Sequence, residues 1–326
     1  MGAFDLTPAQ HRTVRSLLGS SGERFDPTLP SRLRDHIERQ IADAGLPAPV
    51  RLSKERLNEL DRCEGSFAAS LAGERAVWEP NPKNAVGTLL HRALETDAAS
   101  ARARPPGELV AAAYTDLLDD RRYGPFLTGL EPAARELLIA DARSGVELFR
   151  ASFPPLGPAR RLLAPLAEQW LVVPFAGGTV TALGRVDLIV GRFDRGGASR
   201  VLIDLKTGGA WPEHAQDMRL YALLFTVRFG APPLRVASFF LRSGECQPED
   251  VGEQLLFRSA DRLLEAVRAA ARLTPGAEDG SDLDDTAGAV SNPALRPGPW
   301  CAWCPRNATC PVSTTRVGPR SAAANG

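Results

Sequence analysis

The segment Leu202-Ile203-Asp204-Leu205-Lys206-Thr207-Gly208, taken with Gly184-Arg185-Val186-Asp187 upstream, carries the residue types that hydrolysis at a bound cation requires. Val201, Leu202 and Ile203 form an apolar run that ends in charged residues and is broken by Thr207-Gly208-Gly209. That is the pattern of a buried strand delivering side chains at its end. Val180 to Val190 reads as its partner, and Gly191 to Arg200, rich in glycine and charge, as the hairpin turn between them. Side chains alternate along a strand, so Asp204 and Lys206 address the same space while Leu205 points into the core. Carboxylates hold a hard cation such as magnesium, and a nearby ammonium positions or polarises the water that the ion acidifies. An Asp-x-Lys pair at a strand end is commonly a surface ion pair; the rest of the chain decides between the two readings.

A second cluster lies near the C-terminus. Pro299-Trp300-Cys301-Ala302-Trp303-Cys304-Pro305-Arg306-Asn307-Ala308-Thr309-Cys310-Pro311 spaces three cysteines as C-x2-C-x5-C, which lets thiolates from one tight loop wrap one metal centre. A tetrahedral zinc or a cubane iron–sulfur cluster needs a fourth thiolate. Cys63 supplies it, at the end of a short helix that starts after Ser53 and carries Leu57 and Leu60 on one stripe. Cys246, in Ser243-Gly244-Glu245-Cys246-Gln247, reads as a turn residue and is set aside. Zinc fits the ligand count as well, and the flanking Trp300, Trp303 and prolines, which shield a centre from solvent, favour iron–sulfur modestly.

Between the cysteines, Gly87-Thr88 can open a helix on which Leu90 and Leu94 share a stripe. His91 is displaced from that stripe by about 100° and can reach a cleft.

The elements that must position these groups follow from pattern. Pro8 to Leu18 and Pro30 to Ala44 read as helices closed by Gly45-Leu46-Pro47, with His11 and His36 on solvated faces. Residues 102–152 read as a helical insertion with amphipathic stretches at Leu109 to Leu118 and Ala133 to Phe149. Pro212 to Phe229 reads as a helix, Arg235 to Arg242 as a strand and Ala260 to Leu273 as a final helix. The expected organisation is an N-terminal helical extension (1–50), a core (51–275), a flexible linker (276–298), the cysteine loop (299–312) and a disordered tail (313–326).

Composition bounds the function. Lysine plus arginine (39) balances aspartate plus glutamate (39) in 326 residues, so any nucleic-acid surface is a local groove rather than a global field. No apolar run has membrane-spanning length and the first residues lack a secretory pattern, so the expected compartment is the cytoplasm. Lys54, Lys83 and Lys206 are the lysines of a chain that otherwise uses arginine, which suggests a GC-rich bacterial genome and an ammonium specifically wanted at 206.

The ordered set Cys63, Gly87-Thr-Leu-Leu-His91, Gly184-Arg-Val-Asp187, Asp204-Leu-Lys206-Thr-Gly and Cys301-x2-Cys304-x5-Cys310 resembles the RecB-like branch of the PD-(D/E)XK nuclease superfamily over about residues 51 to 312. More narrowly it is similar to members with a cubane cluster, the AddB-type nuclease domains and the CRISPR adaptation nucleases. The resemblance implies an α/β, restriction-endonuclease-like core with a central mixed β-sheet flanked by helices, with the helical insertion shaping a DNA channel to which Arg121, Arg122 and Arg143 contribute. It implies a DNA nuclease using Mg2+ or Mn2+, of exonuclease type, acting in repair or recombination on DNA that is single-stranded or has free ends. His91, Asp187 and Asp204, with the Leu205 carbonyl, would be metal ligands, and Lys206 would orient the attacking water. Cys63, Cys301, Cys304 and Cys310 would hold a largely structural 4Fe-4S cluster. The family's Gln-x3-Tyr helix is altered here: Tyr221 is preceded at that spacing by Asp217, with Gln216 one position early, so either could serve. The chain has no Gly-x4-Gly-Lys-Ser/Thr loop, so an ATP motor would come from a helicase partner. The alternative is a non-catalytic DNA-binding or scaffold subunit that keeps the fold for its groove and cluster.

Overall fold

The computed structural model describes residues 5–19, 25–192, 199–209, 211–274 and 292–314. In chain order the first elements are helices α1 (Pro8–Leu18) and α2 (Leu29–Ala44), strand β1 (Val50–Ser53), and helices α3 (Lys54–Arg62), α4 (Glu64–Leu71) and α5 (Pro82–Ala99). Helices α6 (Pro106–Leu118), α7 (Gly124–Thr128), α8 (Pro132–Ser152) and α9 (Arg160–Leu163) follow, then strands β2 (Leu166–Phe175), β3 (Val180–Val190) and β4 (Val201–Lys206). Helix α10 (Pro212–Phe229), strands β5 (Arg235–Phe240) and β6 (Glu245–Asp250) and helix α11 (Glu253–Leu273) complete the set. The chain forms two compact units, each built from separated stretches: Met1–Ser31, Glu79–Leu171 and Arg185–Leu256 in the first, Arg32–Trp78, Val172–Gly184 and Phe257–Gly326 in the second.

The first unit is organised on a mixed sheet. β4 pairs antiparallel with the C-terminal part of β3 and parallel with β5, and β6 pairs antiparallel with β5. The parallel β4–β5 pair needs a crossover, which α10 supplies. Ile203, Leu205, Leu188, Val190, Ala237 and Phe239 enter one buried core with residues of α5, α6 and α8. There Phe149 stacks on Phe153 with centroids 4.7 Å apart, and both meet Phe239 edge-on at 5.5 and 5.2 Å. By alternation, Leu202, Asp204 and Lys206 lie on the opposite face, and α10 packs against both β4 and β5. This is the expected fold class, an α/β architecture with a central mixed sheet flanked by helices.

Helix α5 is fixed at three places. At its start, Asn81 and Asn84 form a reciprocal cap and Pro82 opens the helix; the helix therefore begins before Gly87, which was expected to open it and instead lies in its interior. A Cβ on Gly87 would stand 3.2 Å from Thr207 Oγ1, and one on Gly145 of α8 would stand 2.6 Å from Leu90 Cδ2, so two glycines set how closely α5 approaches the end of β4 and α8. At its other end, fully buried Asp97 accepts from Arg150 at 2.6 Å and from the Leu156 N–H at 3.0 Å. Gly157 sits where a Cβ would meet the Ser100 carbonyl oxygen at 1.7 Å.

In the second unit, β1 runs parallel to the start of β3, in register from Val50↔Val180 to Ser53↔Leu183. The loop 292–314 is tied to helices α3 and α4 and the residues just after them: the Ala294 N–H donates to Glu64 at 2.8 Å, Arg296 donates to the Leu60 carbonyl at 3.3 Å, and Arg306 forks onto Glu74. Glu64 also takes Arg272 of α11 at 3.0 Å.

Several local expectations are corrected. Cys246 is a β6 residue paired with Phe239 rather than a turn residue; β5 ends at Phe240, and α11 begins at Glu253, a turn and more before Ala260. Residues 193–198 of the expected turn Gly191 to Arg200, 276–291 of the expected linker 276–298 and 315–326 of the expected tail 313–326 lie outside the described residues. Among the described residues no helix is long and apolar enough to cross a membrane.

The Asp97–Arg150 pair anchors the helix that carries His91. Asp97→Ala is expected to destabilise the protein by ~3–5 kcal/mol, because it strands a buried guanidinium and the Leu156 N–H. Urea denaturation should show a lower midpoint at unchanged slope; an unchanged midpoint contradicts this anchoring.

Candidate metal centre

The ladder between β3 and β4 runs from Val190↔Val201 to Leu188↔Ile203 and stops. One residue further along β3, the Asp187 carboxylate takes the backbone itself: the Leu205 N–H donates to Asp187 Oδ2 at 2.7 Å. This ties the β3 acid to β4 and leaves Asp187 Oδ1 for another partner. The N–H and C=O of a strand residue face the same edge, so the Leu205 carbonyl is directed to the side from which Asp187 approaches.

Asp204 and Lys206 share a face as alternation requires, with Nζ 2.6 Å from Asp204 Oδ2 and side-chain exposures of 3% and 15%. The pair is thus a largely buried one. A third group joins from α10: Asp217 Oδ2 lies 3.9 Å from the same ammonium. Of the two candidates for the altered helix motif, Asp217 is the one whose side chain meets Lys206, and Gln216 is turned about 100° from it on the helix. Tyr221, one turn on, is buried at 1% exposure.

His91 projects from α5 so that Nδ1 is 3.5 Å from Asp187 Oδ1 and 3.3 Å from Glu168 Oε1. One donor atom each from His91, Glu168 and Asp187 lies within 4.8 Å of the others, a set that could hold a metal ion. Glu168, on β2, was not among the residues expected from sequence. Its φ of +52° is left-handed, a conformation that costs a non-glycine residue free energy and breaks strand alternation. A signal for it was nevertheless present. Leu171 to Phe175 followed by Ala176-Gly177-Gly178 and Val180 is a hairpin pattern, and counting back from Phe175 opposite Val180 sets Glu168 opposite Asp187. Arg185 Nε pairs with Glu168 Oε2 at 2.9 Å.

The electrostatics are those of acids crowded without enough positive charge. Burial, with Asp204 and Glu168 nearby, pushes Asp187 up to about 6 against the opposing pull of His91 and the Leu205 N–H. For His91, burial works against the imidazolium, but Asp187, Glu168 and Asp204 together outweigh it and leave the pKa raised. His214, in the first turn of α10, is lowered by burial and then by Lys206. A divalent cation among Asp187, Glu168 and His91 would relieve the first two effects together. The donor set, one imidazole and hard carboxylate oxygens, fits magnesium or manganese.

The four expected cysteines lie near one another within the second unit. Cys63 occupies the junction of α3 and α4, and it lines one cavity of about 200 Å³ together with Cys301, Cys304 and Cys310. Burial raises the Cys304 thiol, opposed by the Arg306 N–H and reinforced by Cys63, Cys310 and Cys301. Backbone N–H groups point at sulfur: Arg296 at Cys63 and Gly298 at Cys301, each at 3.4 Å. Donors of this kind stabilise thiolates bound to a metal.

Because a divalent ion takes the deprotonated ligands and both Asp187 and His91 have raised pKa values, binding must displace protons. Ionising Asp187 without a cation costs stability as pH rises through about 6, and a bound ion returns it. Manganese affinity, titrated calorimetrically between about pH 5 and 8, is expected to fall with decreasing pH by roughly tenfold per unit for each proton displaced, and so most steeply below the Asp187 pKa, where His91 is protonated as well; a flat profile refutes the assignment.

No curated protein matches the chain. Among solved structures, the one described as "Crystal structure of SSO0001" is 16% identical, with 70% of this chain and 96% of that chain covered and a TM-score of 0.29, a likeness too slight to support an argument. The profile of the PD-(D/E)XK nuclease superfamily matches residues 51–311, and with a mixed sheet presenting Asp187, Asp204 and Lys206 beside a metal-competent donor set, the chain belongs to that superfamily.

Proposed function

We propose that this protein is a DNA nuclease of the RecB-like type, dependent on Mg2+ or Mn2+ and acting from strand ends in repair or recombination. The observation that carries the reading is the convergence of His91, Glu168 and Asp187 donors within 4.8 Å of one another, with the Asp204–Lys206 pair alongside. Such an ion acts as a Lewis acid on a phosphodiester and makes water a competent nucleophile at neutral pH. The chain's own residues divide the remaining work. Asp187, held by the Leu205 N–H, keeps one oxygen fixed and offers the other. Asp204 pairs with Lys206, whose ammonium is placed to orient the water and to meet charge developing on phosphate. Asp217 backs the ammonium from α10, in the position where relatives carry glutamine.

We infer that Cys63, Cys301, Cys304 and Cys310 would hold a 4Fe-4S cluster, with zinc as the competing occupant. All four cysteines line one cavity, which is what supports a shared centre. A cluster there would join α3 and α4 to the loop 292–314 and contribute folding free energy, since the site does not exist in the unfolded chain.

Lys206→Ala is expected to reduce cleavage of end-labelled single-stranded DNA by about 10²–10⁴-fold while circular dichroism and DNA binding in calcium stay near those of the parent. Cleavage at the parent rate in magnesium rules out the assigned role. Anaerobically purified protein should be brown with stoichiometric iron and sulfide, and Cys63→Ser should lose both; a colourless protein with one equivalent of zinc selects the other occupant.

A further inference from the structure

Trp170 is 57% exposed, an unusual setting for the largest apolar side chain. It lies two residues past Glu168 on β2, where Leu171, Val173 and Phe175 are buried and Trp170, Val172 and Pro174 face solvent. The Arg185 guanidinium lies over its ring, 5.8 Å from the centroid. The same guanidinium reaches Glu168 at 2.9 Å and remains half exposed, and Arg185 stands two residues before Asp187 on β3. One ion pair and one cation–π contact thus connect an outward-facing indole to Glu168, and the strand carries the same arginine beside Asp187. Trp211 and Trp303 are also exposed, but neither has a contact of this kind to a ligand carboxylate among the described interactions.

We propose that Trp170, held by Arg185, is a stacking platform for an unpaired nucleobase next to the phosphodiester at the metal centre, and so selects single strands over duplex at this position. The proposal rests on the nuclease reading of the centre. Every base has a π-face, so stacking on an aromatic side chain is tolerant of sequence, but it needs a base released from its pairing partner. The Arg185 guanidinium keeps positive charge at the same spot, suited to the neighbouring phosphate. Because Arg185 also touches Glu168, the platform is held at a fixed distance from the ligands, and the strand is positioned relative to the ion rather than merely retained.

The test compares a short single-stranded oligodeoxynucleotide with one of equal length carrying abasic residues across its centre, binding being measured in calcium. The parent should prefer the natural strand by roughly 5- to 100-fold. In Trp170→Ala and in Trp170→Leu, which keeps apolar bulk without a ring, that ratio should fall towards one, and in Trp170→Phe it should largely persist. In magnesium, KM for the natural strand should rise in the Ala and Leu variants with kcat little changed. An equal ratio in parent and variants, or a parent that binds neither strand, overturns the platform. A parent that shows the ratio in calcium but cleaves neither strand with magnesium or manganese overturns the nuclease reading and leaves the platform standing.

Discussion

Like charge in a confined, poorly hydrated space is the constraint on which the first unit depends. Asp187, Glu168, Asp204 and Asp217 converge on His91, Lys206 and Arg185, and the imbalance shows in Asp187, which holds its proton up to about 6. A fold tolerates such crowding only where something returns the free energy, and a divalent cation does so most directly. The second unit repeats the principle with sulfur. There the Cys304 thiol is raised first by burial and further by the neighbouring Cys63, Cys310 and Cys301.

The cost is offset by apolar packing around the ligands. Ile203 and Leu205 bury the reverse side of the strand that carries Asp204 and Lys206, and the Phe149, Phe153 and Phe239 cluster stiffens the adjacent sheet. Helix α5 owes its position to the absence of side chains at Gly87 and Gly145 and to the buried Asp97–Arg150 pair. His91 is placed by these contacts as well as by its own hydrogen bond to Glu168, which is why residues far from the chemistry share in setting its geometry.

What could be read directly from sequence was whatever depends on local periodicity. Strand alternation put Asp204 and Lys206 on one face, helical periodicity turned His91 away from its apolar stripe, and the C-x2-C-x5-C spacing gathered three thiols, each of which the structure places as its pattern implies. Residues placed by tertiary contacts were harder. Glu168 reaches the centre through a left-handed backbone in mid-strand, which no periodicity announces, although hairpin counting would have brought it opposite Asp187. The choice between Gln216 and Asp217 depended on the rotation of α10 about its own axis, fixed by packing on β4 and β5. Gly87 looked like a helix opener because glycine commonly marks an element's end; here its role is the close approach of Thr207.

The discontinuous make-up of the second unit also has a consequence for how the chain is made. Cys63 leaves the ribosome 238 residues ahead of Cys301, which at ordinary elongation rates is a wait of roughly 10 to 50 s. Throughout that interval the first thiol has none of its three companions, and the helices α3 and α4 around it lack the C-terminal segment that closes over them. A metal centre held by all four of these cysteines could therefore be completed only once Cys310 has been made, when translation is almost finished.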